Sequence, residues 1–310
     1  MKLHLLAGTD LQLSTFCCGL GDLFSLPPVE SDALLDAYIE AGGNFFDTAH
    51  MYSHWLPGGN GLSEISIGDY VRRRGLKNIL IATKGGGGSL WRYRKTDQPL
   101  SPGRLGADID DSLARLECDT ITLYYLHRDD PRLSPAEIIE TLNAEIKRNR
   151  IRYIAASNWP VQRIAEANEY ARSKNLQPFV LSQPRWSLAA HKIQAGLNAE
   201  DQIAWHRASG FPAAPYCPTA QGFFAGVIPK ADDPYGTPEN HQRRSRVAEL
   251  AKKYQMGANE IAVAWMLNQP FPVFPILGTK NAKRLKETIA AEGLRLTPEE
   301  VKWLDVGDAG

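Results

Sequence analysis

Short apolar runs alternate along this chain with longer stretches in which apolar residues recur every three or four positions. The runs are Asn44–Asp47, Ile79–Thr83, Ile121–Leu126, Ile151–Ala155, Phe179–Gln183, Ala213–Tyr216 and Val273–Ile276. Each has strand length and is rich in β-branched and aromatic residues. The intervening stretches have helical spacing. Val29 to Ala41 carries Leu34, Leu35, Tyr38 and Ile39 on one face and stops at Gly42-Gly43, as glycine stops helices. Ser134-Pro135-Ala136-Glu137 and Thr297-Pro298-Glu299-Glu300 are helix starts. Each combines a hydroxyl cap, a proline at the first helical position and a glutamate able to close a capping box. Ahead of the first run, Lys2–Leu6, the turn signal Gly8-Thr9-Asp10 and Leu11–Leu13 predict a β-hairpin. Thr15–Cys18 then leads into Gly19 and Gly21 as one more strand. Eight strands alternating with helices predict a (β/α)8 TIM barrel, with the hairpin at its N-terminus and extra helices, as one domain over residues 1–310. An open doubly wound sheet is the competing architecture. It needs a Gly-x-Gly-x-x-Gly turn, and Gly19-Leu20-Gly21-Asp22-Leu23-Phe24 fails at the last glycine.

Three of the runs stop at a charged or titratable residue: Asp47, Lys84 and His127, with Tyr52 just beyond the first. In a parallel barrel the carboxyl ends of all strands share one face. A free tyrosine has a pKa near ~10, too high for ready proton exchange at neutral pH. An ammonium ~4 Å away, at an effective dielectric of ~20, favours the phenolate by about 4 kcal/mol, roughly three pKa units before desolvation opposes it. Asp47 could hold Lys84 in place, and His127 could hydrogen-bond the same substrate oxygen. Together the four could deliver a proton to a carbonyl oxygen or remove one from an alcohol. Each also has a plainer reading: Asp47 as a helix cap, Tyr52 as a loop aromatic, Lys84 as a solvated charge, His127 as part of a surface cluster with Arg128-Asp129-Asp130. Those readings do not anticipate that three of the four end strands.

The whole chain narrows the field further. It has 310 residues, 43% of them hydrophobic and 23% charged, enough for a sizeable core. A formal net charge of zero gives no pointer to a nucleic-acid or membrane partner. Cys17, Cys18, Cys118 and Cys217 show no Cys-x-x-Cys spacing, which suits free thiols in a reducing compartment. The opening stretch lacks the long apolar region of a signal peptide and no run is long enough to span a membrane, so a cytoplasmic location is expected. Clustered histidines or paired carboxylates at strand ends are missing, which argues against a metal site and against a glycosidase or metal-dependent hydrolase. Segments 53–62, 85–99 and 226–240 exceed a tight loop and are candidates for function. Trp55, Trp91 and Arg92 lie in the first two and are candidate substrate contacts; the tryptophans could equally pack the loops down. Gly85-Gly86-Gly87-Gly88 reads as a flexible loop base after Lys84 rather than a phosphate cradle.

Several segments in order complete the picture: Gly43-Asn44-Phe45-Phe46-Asp47-Thr48-Ala49-His50-Met51-Tyr52, Thr83-Lys84, Leu126-His127, Ala156-Ser157-Asn158, Gln183, Ala214-Pro215-Tyr216-Cys217-Pro218, and Pro275 through Lys280 with Arg284-Leu285-Lys286-Glu287. As an ordered set covering nearly the whole chain, they resemble the aldo-keto reductase family. The resemblance implies an oxidoreductase that interconverts a small-molecule carbonyl, an aldehyde or ketone with sugar-derived ones included, and its alcohol with a nicotinamide dinucleotide, NADP(H) preferred and NAD(H) usable. It makes Tyr52 the general acid/base, Lys84 and Asp47 its tuning pair, and His127 the group that orients the carbonyl. It assigns the nicotinamide carboxamide to Ser157, Asn158 and Gln183 and the stacked ring to Tyr216. The pyrophosphate falls to the loop from Cys217 through Pro218, Gln221 and Gly222 to Gly226, and Gly21 is a further cofactor-binding position. It assigns the adenosine end and its 2′-phosphate to Gly278, Thr279, Lys280, Arg284, Glu287 and Thr288. Cys217 replaces a serine common in the family, Thr288 an asparagine, and Gly278 a lysine of some members, so the cation count at the 2′-phosphate is reduced. Lys280, Lys283, Arg284 and Lys286 also fit the plainer reading of a solvated helix face. Some barrels of this family serve as cofactor-sensing subunits of ion channels, which is the alternative function. The oligomeric state is left open.

Overall fold

A curled, mainly parallel sheet wrapped by helices emerges in the computed structural model, which describes residues 1–88, 98–189, 192–193, 197–229 and 235–307. The chain begins with strands β1 (Leu3–Leu5) and β2 (Gln12–Ser14), an antiparallel pair with Leu3 opposite Ser14. Then come β3 (Cys17–Gly19), α1 (Pro28–Glu40), β4 (Phe45–Asp47), α2 (Leu62–Arg73), β5 (Leu80–Gly85), α3 (Pro102–Leu116), β6 (Ile121–Leu126), α4 (Pro135–Lys147), β7 (Ile151–Ser157), α5 (Val161–Ser173) and β8 (Phe179–Gln183). A short antiparallel pair, β9 (Lys192–Ile193) and β10 (Leu197–Asn198), precedes α6 (Ala199–Ser209). Helices α7 (Pro238–Tyr254) and α8 (Ala258–Leu267), strand β11 (Ile276–Leu277), α9 (Ala282–Ile289) and α10 (Pro298–Val306) complete the order. The main sheet runs β11-β3-β4-β5-β6-β7-β8, all parallel. Both capping boxes expected from sequence form, at Ser134 and Thr297.

The expected strand Ala213–Tyr216 makes only isolated parallel bridges, from Ala213 to Ser182 and Val273 and from Tyr216 to Arg185. Pro212 and Pro215 lack N–H groups, so a continuous ladder cannot form. The segment is nevertheless bonded on both sides. Ala214 N donates to Ser182 O at 2.7 Å, and Phe274 N donates to Ala213 O at 2.8 Å. The last strand is shifted from the expected Val273–Ile276 to Ile276–Leu277, since Pro272 and Pro275 interrupt pairing before it.

Two hydrophobic clusters divide the strands by alternation. Phe45, Leu80, Ala82, Leu123, Tyr125, Ala155, Leu181, Ala214, Phe274 and Ile276 form one, together with Leu6, Leu11 and Leu13 from around the N-terminal antiparallel pair. Phe46, Tyr124, Leu126, Ile154, Ala156 and Phe179 belong to the other, with helix residues such as Leu34, Ile109 and Leu142. The first is the concave interior of the curled sheet and the second is the layer between sheet and helices. Because side chains alternate with period two, Asp47, Lys84, His127, Ser157, Gln183 and Tyr216 are the next inward positions along their segments. The same row that is apolar in the interior turns polar at the carboxyl ends.

Candidate active site

Lys84 is fully buried, and its ammonium has three partners: Asp47 Oδ2 at 2.7 Å, the Thr48 carbonyl at 2.7 Å and the Tyr52 hydroxyl at 3.1 Å. Register puts them together. Asp47 lies opposite Ala82 on β5, two residues before Lys84, so both carboxyl-end side chains point inward at adjacent heights. Tyr52 comes back over this pair through a turn closed by Tyr52 N donating to Ala49 O at 2.9 Å. His127 follows β6, with its N–H donating to Gly85 O at 2.8 Å, and its ring meets the Tyr52 ring edge-on at 5.8 Å between centroids. The glycines after Lys84 are required by crowding. A Cβ on Gly85 would stand 1.8 Å from the Tyr124 hydroxyl, and Gly86 turns with φ +69°.

The ionisation pattern differs from the expectation for the tyrosine. Burial raises the Tyr52 pKa, and the neighbouring Lys84 lowers it without fully reversing that effect, so the net shift is upward. Burial likewise works against the Lys84 charge, but Asp47 and Tyr52 outweigh it and hold the ammonium above the ordinary lysine value. The His127 imidazole is pushed well below its usual range, first by burial and then by Lys84 and Arg128. At neutral pH the arrangement is therefore a protonated phenol on a charged lysine, beside a neutral imidazole. His127 Nδ1 is buried with no partner among the described residues.

The amide residues expected to hold a carboxamide are bonded to one another. Tyr216 OH donates to Asn158 Oδ1 at 2.7 Å, and Asn158 Nδ2 donates to Ser157 Oγ at 3.0 Å. Ser157 Oγ donates to Gln183 Oε1 at 3.1 Å, and Gln183 Nε2 donates to Asp47 Oδ1 at 2.8 Å. A continuous polar row thus links Tyr216 to Asp47 and, through Lys84, to Tyr52. Sequence reasoning placed these residues individually but not this mutual bonding, which depends on the Ser157–Gln183 register.

Cys217 and Gln221 have left-handed backbone at φ +58° and +56°, and Gly222 and Gly226 at φ +87° and +102°. Pro218 lies inside this tightly turned segment, which leads directly from Tyr216. Gly21 lies on the other side of the tyrosine, where an added Cβ would be 3.7 Å from the Tyr52 ring. At the far end, Gly278, Lys280, Arg284 and Glu287 are exposed. Lys280 Nζ is bonded to Asp22 Oδ2 at 2.6 Å and to Ser25 Oγ at 3.1 Å. Glu287 pairs with Lys283 at 3.8 Å. Thr279 Oγ1 accepts from Asn281 N, while Thr288 is buried and spends its hydroxyl on the Arg284 carbonyl. Trp55 is 44% exposed and contacts His54 edge-on. Trp91 and Arg92 lie outside the described residues.

Two positions near the site were missed as contributors. Arg128, next to His127, and Arg185, two residues beyond Gln183, are half-buried cations that both act on Tyr216. Their adjacency to strand-end polar residues was the available signal. A shallow cavity beside Lys84 and His127 is lined by Met51, Gly87, Pro99, Arg104 and Asp108.

The sequence model described as "Aldo/keto reductase family" matches residues 16–306. A probable aryl-alcohol dehydrogenase of Saccharomyces cerevisiae is 29% identical over 88% of this chain and 85% of its own length. An aldo-keto reductase of Aspergillus calidoustus is 29% identical over 97% of this chain and 79% of its own. A norsolorinic acid reductase of Aspergillus flavus is 27% identical over 88% of this chain and 70% of its own. The crystal structure of a thermostable aldo-keto reductase with the inhibitor epalrestat superposes with a TM-score of 0.75, covering 98% of this chain and 99% of that one at 21% identity.

Proposed function

The chain belongs to the aldo/keto reductase family, and from that premise we propose that it is an NADP-dependent oxidoreductase interconverting an aldehyde or ketone and its alcohol, with Tyr52 as general acid/base. The observation that carries this reading is the bonded series Asp47–Lys84–Tyr52 with neutral His127 across the tyrosine ring. In reduction, Tyr52 gives its proton to the carbonyl oxygen as negative charge develops there. Lys84 stabilises the phenolate left behind, and Asp47 and the Thr48 carbonyl keep the ammonium charged and aimed. His127, held neutral, orients the same oxygen by a hydrogen bond. In oxidation the proton moves back.

A nicotinamide dinucleotide, when bound, supplies or accepts the hydride. The residues present fit that group. Tyr216 is positioned by Asn158, residues 217–226 turn tightly through left-handed backbone at Cys217, Gln221, Gly222 and Gly226, and the Arg284 side chain is exposed, with no ion-pair partner among the described residues. Ser157, Asn158 and Gln183 would trade their mutual bonds for the carboxamide, and Tyr216 would face the ring. Cys217, Pro218, Gln221, Gly222 and Gly226, with Gly21 near the ring, would enclose the pyrophosphate. Gly278, Thr279, Lys280, Arg284, Glu287 and Thr288 would receive the adenosine end. Arg284, and Lys280 once it leaves Asp22, would favour a 2′-phosphate.

We read the fold as a (β/α)8 barrel in one domain over 1–310, with residues 212–216 as the proline-interrupted member and the N-terminal pair as the hairpin plugging its floor. The hydrogen bonds on both sides of 212–216 support this. Among the described residues no helix is long and apolar enough to cross a membrane, and a cytoplasmic setting suits the free cysteines. Relatives named as aryl-alcohol dehydrogenases make aromatic aldehydes the first substrates to try. The deciding experiment follows nicotinamide absorbance over a panel of aromatic aldehydes, aliphatic aldehydes, keto sugars and sugar alcohols, with NADP(H) and NAD(H) in parallel. Turnover by the native chain and its loss in Tyr52→Phe are the expected results. Tight NADP binding without turnover on any substrate would instead favour a cofactor-sensing subunit.

A further inference from the structure

The chain turns strongly charged just after His127, with Arg128-Asp129-Asp130, yet the charges are not shared among these neighbours. Asp129 is held by Arg163, whose Nε donates to Oδ2 at 2.6 Å. Asp130 is held by Arg132, whose Nε and Nη2 each donate at 2.7 Å. Arg128 receives neither carboxylate. It is half-buried, its Nε is buried without an acceptor, and no acceptor for its guanidinium occurs among the described residues. Its position is fixed from behind, because the preceding carbonyl, that of His127, accepts from Asn158 Nδ2 at 3.2 Å.

A second cation reinforces the same spot. Arg185 donates to the Tyr235 hydroxyl at 3.2 and 3.0 Å and has no carboxylate partner among the described residues. Burial lifts the Tyr216 phenol to about 12 while both arginines oppose that rise, so both guanidinium charges act on the same hydroxyl. Charged Lys84 stands close by under Tyr52, and the Asp47 carboxylate beside it is already engaged by that ammonium. A partly desolvated guanidinium without an anion costs free energy unless a ligand completes it. Its planar donor fork matches a carboxylate.

We propose that Arg128 binds a carboxylate carried by the carbonyl substrate, so that aldehydes and ketones bearing an acid group are preferred; this rests on the oxidoreductase reading above. The carbonyl lies between Tyr52 and His127 and the acid group reaches the next residue along the same segment. Arg128 thereby sets specificity, while the proton chemistry belongs to Tyr52.

The test compares 4-carboxybenzaldehyde with methyl 4-formylbenzoate, two aldehydes that differ chiefly in charge. The native protein should favour the acid by about tenfold in kcat/KM, the scale of one charge-assisted pair. Arg128→Gln should bring the acid-to-ester ratio close to one, and Arg128→Lys should restore part of it. Because the ratio is internal to each variant, a partly unfolded preparation does not mimic the effect. A ratio near one in the native protein, or one unchanged in Arg128→Gln, overturns the proposal. So does a loss that falls on the NADP dissociation constant instead, since Arg128 would then serve the cofactor. Calorimetric titration with terephthalate separates the two layers of argument. Binding weakened about tenfold by Arg128→Gln supports the anion site even if neither aldehyde is turned over, an outcome that would sink the oxidoreductase reading alone.

Discussion

The two ends of the inward-facing rows are built from the same strands and behave oppositely. At the floor, Phe45, Leu80, Leu123 and Leu181 pack against Leu6, Leu11 and Leu13, with no polar group to satisfy. Two to four residues further along the same segments, Asp47, Lys84 and Gln183 meet in hydrogen bonds of defined length, with His127 edge-on to the Tyr52 ring that Lys84 also bonds. The apolar end is non-directional and tolerates repacking. The polar end is directional, and each group there depends on the partner next to it. Rigidity at the floor is therefore what lets the mouth hold a buried ammonium 2.7 Å from a carboxylate.

The sharpest way to break this contrast is at the mouth. Tyr52→Phe is expected to lower kcat by about 10²–10⁴-fold, the usual scale of a positioned general acid, with thermal unfolding nearly unchanged; steady-state kinetics and calorimetry on the same preparation check both halves. Lys84→Met should remove activity as well and should also destabilise the fold by about 3–5 kcal/mol, because it strips Asp47 of its buried cation. Urea denaturation measures that loss, and a variant as stable as the native protein would mean that Asp47 is solvated rather than buried with Lys84. At the floor the prediction reverses. Leu123→Ala should cost about 2–5 kcal/mol of stability through the cavity it leaves, yet keep kcat for whatever fraction stays folded.

Protonation gives a smaller, graded effect. The folded protein holds His127 well below its usual range, and burial takes His206 down to about 4. Both are bases depressed by folding, so the unfolded chain binds the extra protons. Their contribution is complete above the ordinary histidine pKa near 6.5 and is lost as pH falls from there through the folded values. Melting temperature should therefore decline on acidification below about pH 6.5, and His127→Asn should flatten part of that decline. Tyr52 bears the opposite sign for catalysis: with its pKa raised, the protonated form persists through neutral pH, and reduction should hold a plateau there. The smallest effect is expected at the exposed end of α9, where Arg284→Ala should raise the KM for NADP about fivefold, roughly 1 kcal/mol, with little change for NAD.

Much of this was legible in the chain. The alternation of apolar runs with helical stretches located the strands β4 to β8 within a residue or two, and the capping boxes at Ser134 and Thr297 formed as written. The strand expected over Ala213–Tyr216 was less legible because two prolines erase its ladder without removing its place between β8 and residues 272–276. Asp47, Lys84 and His127 stood out because a charge at the end of an apolar run is costly without a purpose. Arg128 did not stand out, since an arginine in a charged stretch looks solvated until its neighbours are seen to bond elsewhere, and Arg185, a lone cation between Pro184 and Trp186, reads like any surface arginine.

The order of residues by itself determined the strand-helix alternation, the positions where the inward rows turn polar, and the kinds of chemistry available there, because period and propensity are local properties of a chain. The tertiary structure alone decided which polar groups meet. Asp47 and Gln183 are 136 residues apart and share a hydrogen bond only because the sheet curls round to bring β8 near β4. It also decided the net sign of the Tyr52 shift. Attraction to Lys84 is legible as a pairing of types, but the desolvation that outweighs it is a property of the surrounding packed atoms.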